Sequence, residues 1–230
     1  MATQLDLQEQ EQLDALKSFW NKQGNLVTAV LVLVLGAFAA WNGWQYWQRE
    51  QAVKAGAMYD ELERASTAAD AERAGRIFND LKERFPRTAF AQQAALLVAK
   101  TQFDKGQLDA AAASLQWLTQ SGTDDELRTV AQLRLAGLHA QAKRYDEALK
   151  ALDGATAAGF EGLVADRRGD VFILQGKTAE AVTAYQAAYK VLGEKLDYRR
   201  LVDAKLTALG VPPAEPAKTT AAAAATGASK

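Results

Sequence analysis

The chain has 230 residues in which 27 Lys and Arg nearly balance 28 Asp and Glu, so a formal net charge of -1 supplies no global field to draw in nucleic acid, and nucleic acid is not an expected partner. The absence of cysteine excludes disulfide frameworks, thiolate metal sites and cysteine nucleophiles. Only four prolines interrupt a composition rich in Ala, Leu, Glu, Gln, Lys and Arg, which favours helix throughout.

Residues 1–22 form a polar N-terminal segment in which Leu13, Leu16 and Trp20 recur at helical spacing, as either a short interfacial helix or the start of the next element. Residues 23–48 contain no charge. The core of this stretch, Leu26 to Trp44, rises about 28 Å as a helix and matches a hydrocarbon layer of about 30 Å. Phe19 and Trp20 precede the apolar run, and Trp41, Trp44, Tyr46 and Trp47 close it, which places amphipathic rings at both lipid headgroup layers. A cleaved signal peptide is the competing reading, because Ala37, Phe38 and Ala39 resemble a processing site. Its leader should be short and basic, whereas this one is long and carries Asp6, Glu9, Glu11 and Asp14. Lys17 and Lys22 on one flank face Arg49, Lys54 and Arg64 on the other, so charge alone leaves the direction of the span open. Gly36 and Ala40, and likewise Ala39 and Gly43, are small residues four apart, a spacing that admits a second helix at close range.

Helical periodicity resumes over 49–210 and breaks at Thr67 to Asp70, Pro86, Gly106, Ser121 to Thr123, Lys143 with Arg144, Gly154 to Gly159, and Gly176. Between the breaks, Ala74, Ala111, Ala148 and Ala181 recur at intervals of 37, 37 and 33 residues, each followed four residues later by Phe78, Leu115, Leu152 or Tyr185. Twelve residues upstream lie Leu62, Ala99, Ala136 and Gly169. That period is close to the roughly 34 residues of tetratricopeptide repeats, in which a small residue lets two helices cross closely and a large one fills the adjoining groove. The predicted class is all-α, a single N-terminal transmembrane helix followed by a tetratricopeptide-repeat-like α-solenoid. Its alternative is an ordinary helical bundle with chance alanine spacing. A helix from Leu196 to Leu209 is expected to cover the last repeat. Residues 211–230, rich in Pro, Ala and Thr, read as a disordered tail.

Little in the chain points to catalysis. His139 lies inside a repeat helix without ligands at metal spacing. Gly176, Lys177 and Thr178 resemble the end of a phosphate-binding loop, but Val171 stands where its first glycine is required, and the preceding segment reads as helix. Asp124, Asp125 and Glu126 suit a helix start, and the pairs Arg167–Arg168 and Arg199–Arg200 read as solvated faces. No enzyme, cofactor or metal is predicted. If the repeats form hairpins, their first helices line a concave side, and Gln93, Leu96, Lys100, Leu133, Asp166 and Asp170 are the candidate partner contacts there.

Leu13, Leu16, Lys17, Phe19, Trp20 and Gly24 ahead of the span, and Gly43, Trp44, Tyr46 and Trp47 after it, resemble the start of the YfgM family of bacterial inner-membrane proteins. The likeness continues through Leu133 to Ala136, Val164 to Asp170, and Gly176, and so covers the chain from about Leu13 to Leu209. The resemblance implies an ancillary subunit of the SecYEG translocon, single-pass in the inner membrane, N-terminus cytoplasmic and repeats periplasmic. It further implies a PpiD-like chaperone as partner and assistance to exported polypeptides. The alternative is a repeat scaffold or assembly factor for an envelope complex that never touches translocating chains.

Overall fold

The computed structural model describes residues 7–193 and 197–211, with side chains from residue 11 onward. The expected disordered tail, beyond Val211, and Leu196 as the start of the last helix both lie outside the described residues. The described chain forms α1 (Leu7–Thr67), α2 (Ala71–Arg84), α3 (Ala89–Asp104), α4 (Leu108–Ser121), α5 (Asp125–Gln141), α6 (Tyr145–Asp153), α7 (Glu161–Leu174), α8 (Thr178–Val191) and α9 (Asp197–Ala208). It divides into two units, Met1–Lys54 and Ala55–Lys230.

The first unit is the leading part of α1. With no proline before Pro86, nothing interrupts the backbone ladder, and the helix runs on through residues 22 and 48. The segment with Leu13, Leu16 and Trp20 is therefore a continuation of the apolar helix. Leu26, Leu31, Leu33, Leu35 and Phe38 are all more than half exposed, so this apolar surface has no cover among the described residues. The helix is long and apolar enough to cross a membrane. Its one strongly polar side chain in the late span, Asn42, donates its Nδ2 to the carbonyl of Phe38 at 2.9 Å, which satisfies within the helix a group that lipid would leave unpaired.

In the second unit the rest of α1 opens a series of hairpins: α1 with α2, α3 with α4, α5 with α6, α7 with α8. Every repeat alanine is sealed from solvent, Ala74, Ala111, Ala148 and Ala181 all at 0 % exposure. The large residues one turn later, Phe78, Leu115, Leu152 and Tyr185, are buried beside them. Their upstream partners explain why small side chains are required: a Cβ on Gly169 would lie 2.4 Å from the Tyr185 ring.

Each first helix ends in the same way. Ala69, Gly106, Lys143, Gly176 and Gly210 all take positive φ, between 54° and 75°, the left-handed conformation that reverses a helix end. The amide of each donates to the carbonyl three residues back, and the next amide to the carbonyl four before the turn residue. Gly106 to Phe103 (2.8 Å) with Gln107 to Gln102 (2.8 Å), and Lys143 to Ala140 (3.0 Å) with Arg144 to His139 (2.8 Å), are two of the five. Helix starts are capped by Asp70, Thr88 and Asp124, the last accepting from the amide of Leu127 at 2.9 Å, so the acidic run there serves a helix end as its sequence suggests.

The loops between hairpins are held by polar side chains at the head of the first helices. Gln92 accepts from the amides of Thr123 and Asp124 at 2.8 and 3.0 Å, and Thr129, at the equivalent place in α5, accepts from Ala157 at 3.1 Å. Helix α9 extends the order by one helix. Its end carries the fifth turn, at Gly210, and Val202 and Leu206 are buried with Tyr185 and Ala188. Where the other first helices have Leu62, Ala99, Ala136 and Gly169, seven residues before the turn, α9 has Asp203.

Candidate functional site

Helices α3, α5 and α7 lie side by side and leave a groove of about 570 Å³ along their common face. Its apolar lining includes Phe103, Val130, Leu133 and Leu138, and its charged lining is Lys100, Asp104, Arg134 and Arg167. Lys100 and Asp104, one turn apart on α3, pair with each other. Arg134 donates from Nη1 to the carbonyl of Leu96 at 3.1 Å, a cross-helix tie between α5 and α3. Arg167 stands 3.6 Å from Asp170, beyond hydrogen-bond range.

The predicted partner contacts separate into three groups. Lys100 and Leu133 line the groove. Gln93 is exposed on α3, and Leu96 packs half-buried against the core while its carbonyl receives Arg134. Asp166 does not belong to an open surface, and Asp170, its side chain 28% exposed, is tied to α9. Asp166 is only 1 % exposed, and α9 covers it: Lys205 donates to both its oxygens at 2.8 and 2.9 Å, and the Tyr198 hydroxyl to Oδ2 at 2.6 Å. Lys205 also reaches Asp170 at 2.6 Å, and the Tyr185 hydroxyl donates to the same oxygen at 2.9 Å. The expectation of Asp166 as a partner contact is corrected by this: a carboxylate so buried needs compensation, and α9 supplies it from inside the chain. Burial, followed by hydrogen bonding to these carboxylates, raises both phenols well above their ordinary pKa of 10.

Residues that sequence reasoning passed over are Phe103, Arg134, Gly137 and Arg167, all on the groove. Arg167, which the sequence places on a solvated face, is exposed and stands 3.6 Å from Asp170, and it also lines the groove. Arg168 and Arg200 do keep surface pairs, with Asp153 at 2.7 Å and Asp197 at 3.3 Å, while Arg199 stacks 4.0 Å from the Tyr189 ring centroid. The signal that would have found Arg134 and Arg167 is register. Each lies nine residues before a left-handed turn, Lys143 or Gly176, on successive first helices.

His139 is half-buried in α5, and its pKa is lowered by burial first and then by Arg144, with Glu147 acting in the opposite sense. Among the described residues no group of three or more His, Asp and Glu comes together to hold a metal ion.

The residues expected at membrane interfaces, Phe19, Trp20, Trp41, Trp44, Tyr46 and Trp47, are all exposed on α1. The rings of Trp44 and Trp47 lie 5.3 Å apart, and the indole of Trp20 folds over Gly24 at 3.4 Å from where a Cβ would stand. A Cβ on Gly36 or Gly43 would meet nothing within 4 Å, so the small-residue face with Ala39 and Ala40 is open.

The family model described as a tetratricopeptide repeat-like domain matches residues 17–211, which include the apolar helix as well as the repeats. A protein of Neisseria gonorrhoeae named ancillary SecYEG translocon subunit is 31% identical over 88% of this chain and 98% of its own length. Proteins of the same name from Escherichia coli (31% identical, 79% of this chain and 87% of theirs) and Haemophilus influenzae (30%, 79% and 89%) align similarly. A solved structure, that of MamA, superimposes with a TM-score of 0.49 at 18% identity over 65% of this chain and 85% of its own. With its repeat alanines buried, its five matching turns and a family match from residue 17 to residue 211, the chain belongs to the tetratricopeptide repeat-like domain family.

Proposed function

We propose that this protein is a membrane-anchored, non-enzymatic interaction subunit that works beside the SecYEG translocon. The observation that carries this reading is the alignment of relatives bearing the name of ancillary translocon subunit across nearly the full length of one of them, anchor helix included. The open groove of the first helices adds a place for a polypeptide segment, since stacked hairpins expose a continuous inner face suited to extended ligands.

In this reading α1 crosses the inner membrane over residues 23–48, with residues 1–22 cytoplasmic, the repeats of 49–210 periplasmic, and 211–230 a tail. Trp20 and the cluster around Trp44 sit at the two headgroup layers. Gly36, Ala39, Ala40 and Gly43 rest against a helix of the channel or of a partner, and Gln93, Leu96, Lys100 and Leu133 face the bound segment. The partners are the translocon, a PpiD-like chaperone and the exported polypeptides that both handle.

Site-specific photocrosslinking tests this arrangement. A crosslinker at residue 36 or 43 is expected to capture a translocon or chaperone helix, and one at residue 133 a periplasmic polypeptide. Recovery of neither from intact membranes overturns the partner assignment. Protease added to spheroplasts should remove the repeats, and their full protection would reverse the topology.

A further inference from the structure

We propose that the groove between α3, α5 and α7 selects an extended acidic segment in which carboxylates alternate with apolar residues, Arg134 and Arg167 each taking one carboxylate. The inference rests on the interaction reading above and adds the chemistry of what is bound.

The groove's own acids are already engaged. Of its four charged lining residues three are cationic, and the single carboxylate, Asp104, is held by Lys100. Asp170 is the acid nearest Arg167: its Oδ1 is taken by Lys205 and Tyr185, and its Oδ2 stands 3.6 Å from Arg167 Nη1, an ion pair too long for a hydrogen bond. Asp166 is closed off beneath α9. Lys205 therefore compensates the two aspartates from behind, and Arg167 keeps only a loose, half-exposed ion pair with Asp170 that leaves most of its donors unused on the groove side. Arg134 has used one donor on a backbone carbonyl, which neutralises none of its charge. A guanidinium offers five donors in a planar fork, so both arginines retain capacity for a carboxylate.

The spacing suits an extended chain. Arg134 and Arg167 hold the same register on helices whose axes pack about 8–10 Å apart. Residues i and i+2 of an extended segment stand on one side roughly 6.5 Å apart, a gap that two long arginines bridge. The intervening side chain then points to the other side of the segment, and Phe103 of α3, which lines the groove, is still 40 % exposed with nothing covering it among the described residues.

The test uses the full-length protein in detergent micelles and three fluorescein-labelled peptides of the pattern Gly-X-Leu-X-Leu-X-Gly, with X as Glu, Lys or Gln. Fluorescence anisotropy is expected to show the Glu peptide binding at least tenfold more tightly than the other two and losing affinity as salt rises. Arg134→Gln and Arg167→Gln should each weaken it about tenfold, the loss of one charged hydrogen-bonded contact. Arg168→Gln, whose pair with Asp153 is elsewhere, should not. Equal binding of the Gln or Lys peptide, no binding of the Glu peptide at millimolar concentration, or unchanged affinity in the two arginine variants overturns the proposal. Leu133→Arg separates this from the broader reading. If it abolishes binding of all three peptides while the arginine variants do nothing, the groove stands and the acidic preference falls. If no peptide binding responds to Leu133→Arg, the groove falls with it.

Discussion

The inner face of the repeats is used in two ways. Along α3 and α5 the positions ten residues before each turn hold Leu96 and Leu133, and the groove beside them is open. At the same position in α7 stands Asp166, and the face is shut by α9 through Lys205 and Tyr198. One architecture therefore leaves an open groove in one place and closes on itself in another. What distinguishes them is whether the chain supplies its own counter-charge. A buried carboxylate without a partner is among the costliest things a fold can contain, so an acid at this position forces a lid, whereas leucine leaves the position free.

The sharpest way to break this contrast is to remove the acid at the closed end. Asp166→Ala should leave the Tyr198 hydroxyl without its acceptor and Lys205 with Asp170 alone, and lower stability by about 3 kcal/mol, whereas Lys100→Ala, which dissolves an exposed pair at the open end, should cost less than about 0.5 kcal/mol. Urea midpoints of the two variants measure the difference, and equal costs would mean that α9 is not locked by this cluster. Next in size is the pair of glycines on neighbouring first helices. Gly169→Ala drives a methyl into Tyr185 and should cost about 2 kcal/mol, while Gly137→Ala meets nothing within 4 Å and should gain about 0.5–1 kcal/mol from helix propensity. Thermal melts that rank them the other way would contradict the packing described for α7 and α8.

The turns offer a smaller exchange between the two ends. Lys143 ends α5 in the left-handed conformation that Gly176 adopts after α7. Lys143→Gly should stabilise by about 1 kcal/mol, and Gly176→Ala should destabilise by a similar amount. A loss of stability in Lys143→Gly would show that its side chain contributes more than its backbone strain costs. The smallest effect is expected at His139, whose counterpart in α7 is Phe172. Its pKa is depressed in the folded chain, so the unfolded chain binds the proton more readily. Stability should then fall as pH drops from 7 through the ordinary histidine value and level off below the folded value. His139→Phe should flatten that slope in urea titrations at pH 5 and 7; an unchanged slope assigns it to other groups.

Much of this fold is legible in residues because its determinants are local. The alanines and the large residues one turn later mark the helix crossings, and Gly106 and Gly176 mark two of the five turns. Ala69 and Lys143 adopt the same turn without glycine, and only their register with Gly106 and Gly176 reveals it. The loop ties of Gln92 and Thr129 reach about thirty residues ahead, a distance at which no periodicity operates. The site was harder still. Lys100 and Leu133 follow from being on first helices, but the fate of Asp166 was decided by Lys205, 39 residues later and on a helix whose side chains carry no repeat motif. Arg134 and Arg167 were hidden because a lone arginine on a helix resembles any solvated one until two helices bring such residues into line.

Asp203 carries one more consequence. A stack of hairpins has no intrinsic end, and its last exposed helix is a template onto which the first hairpin of a second molecule can add, head to tail, into an open filament. At the crossing point where the other first helices hold Leu62, Ala99, Ala136 and Gly169, α9 presents a carboxylate, whose desolvation would oppose the close packing of a further hairpin. Asp203 thereby makes α9 a poor seat for the first hairpin of a second copy.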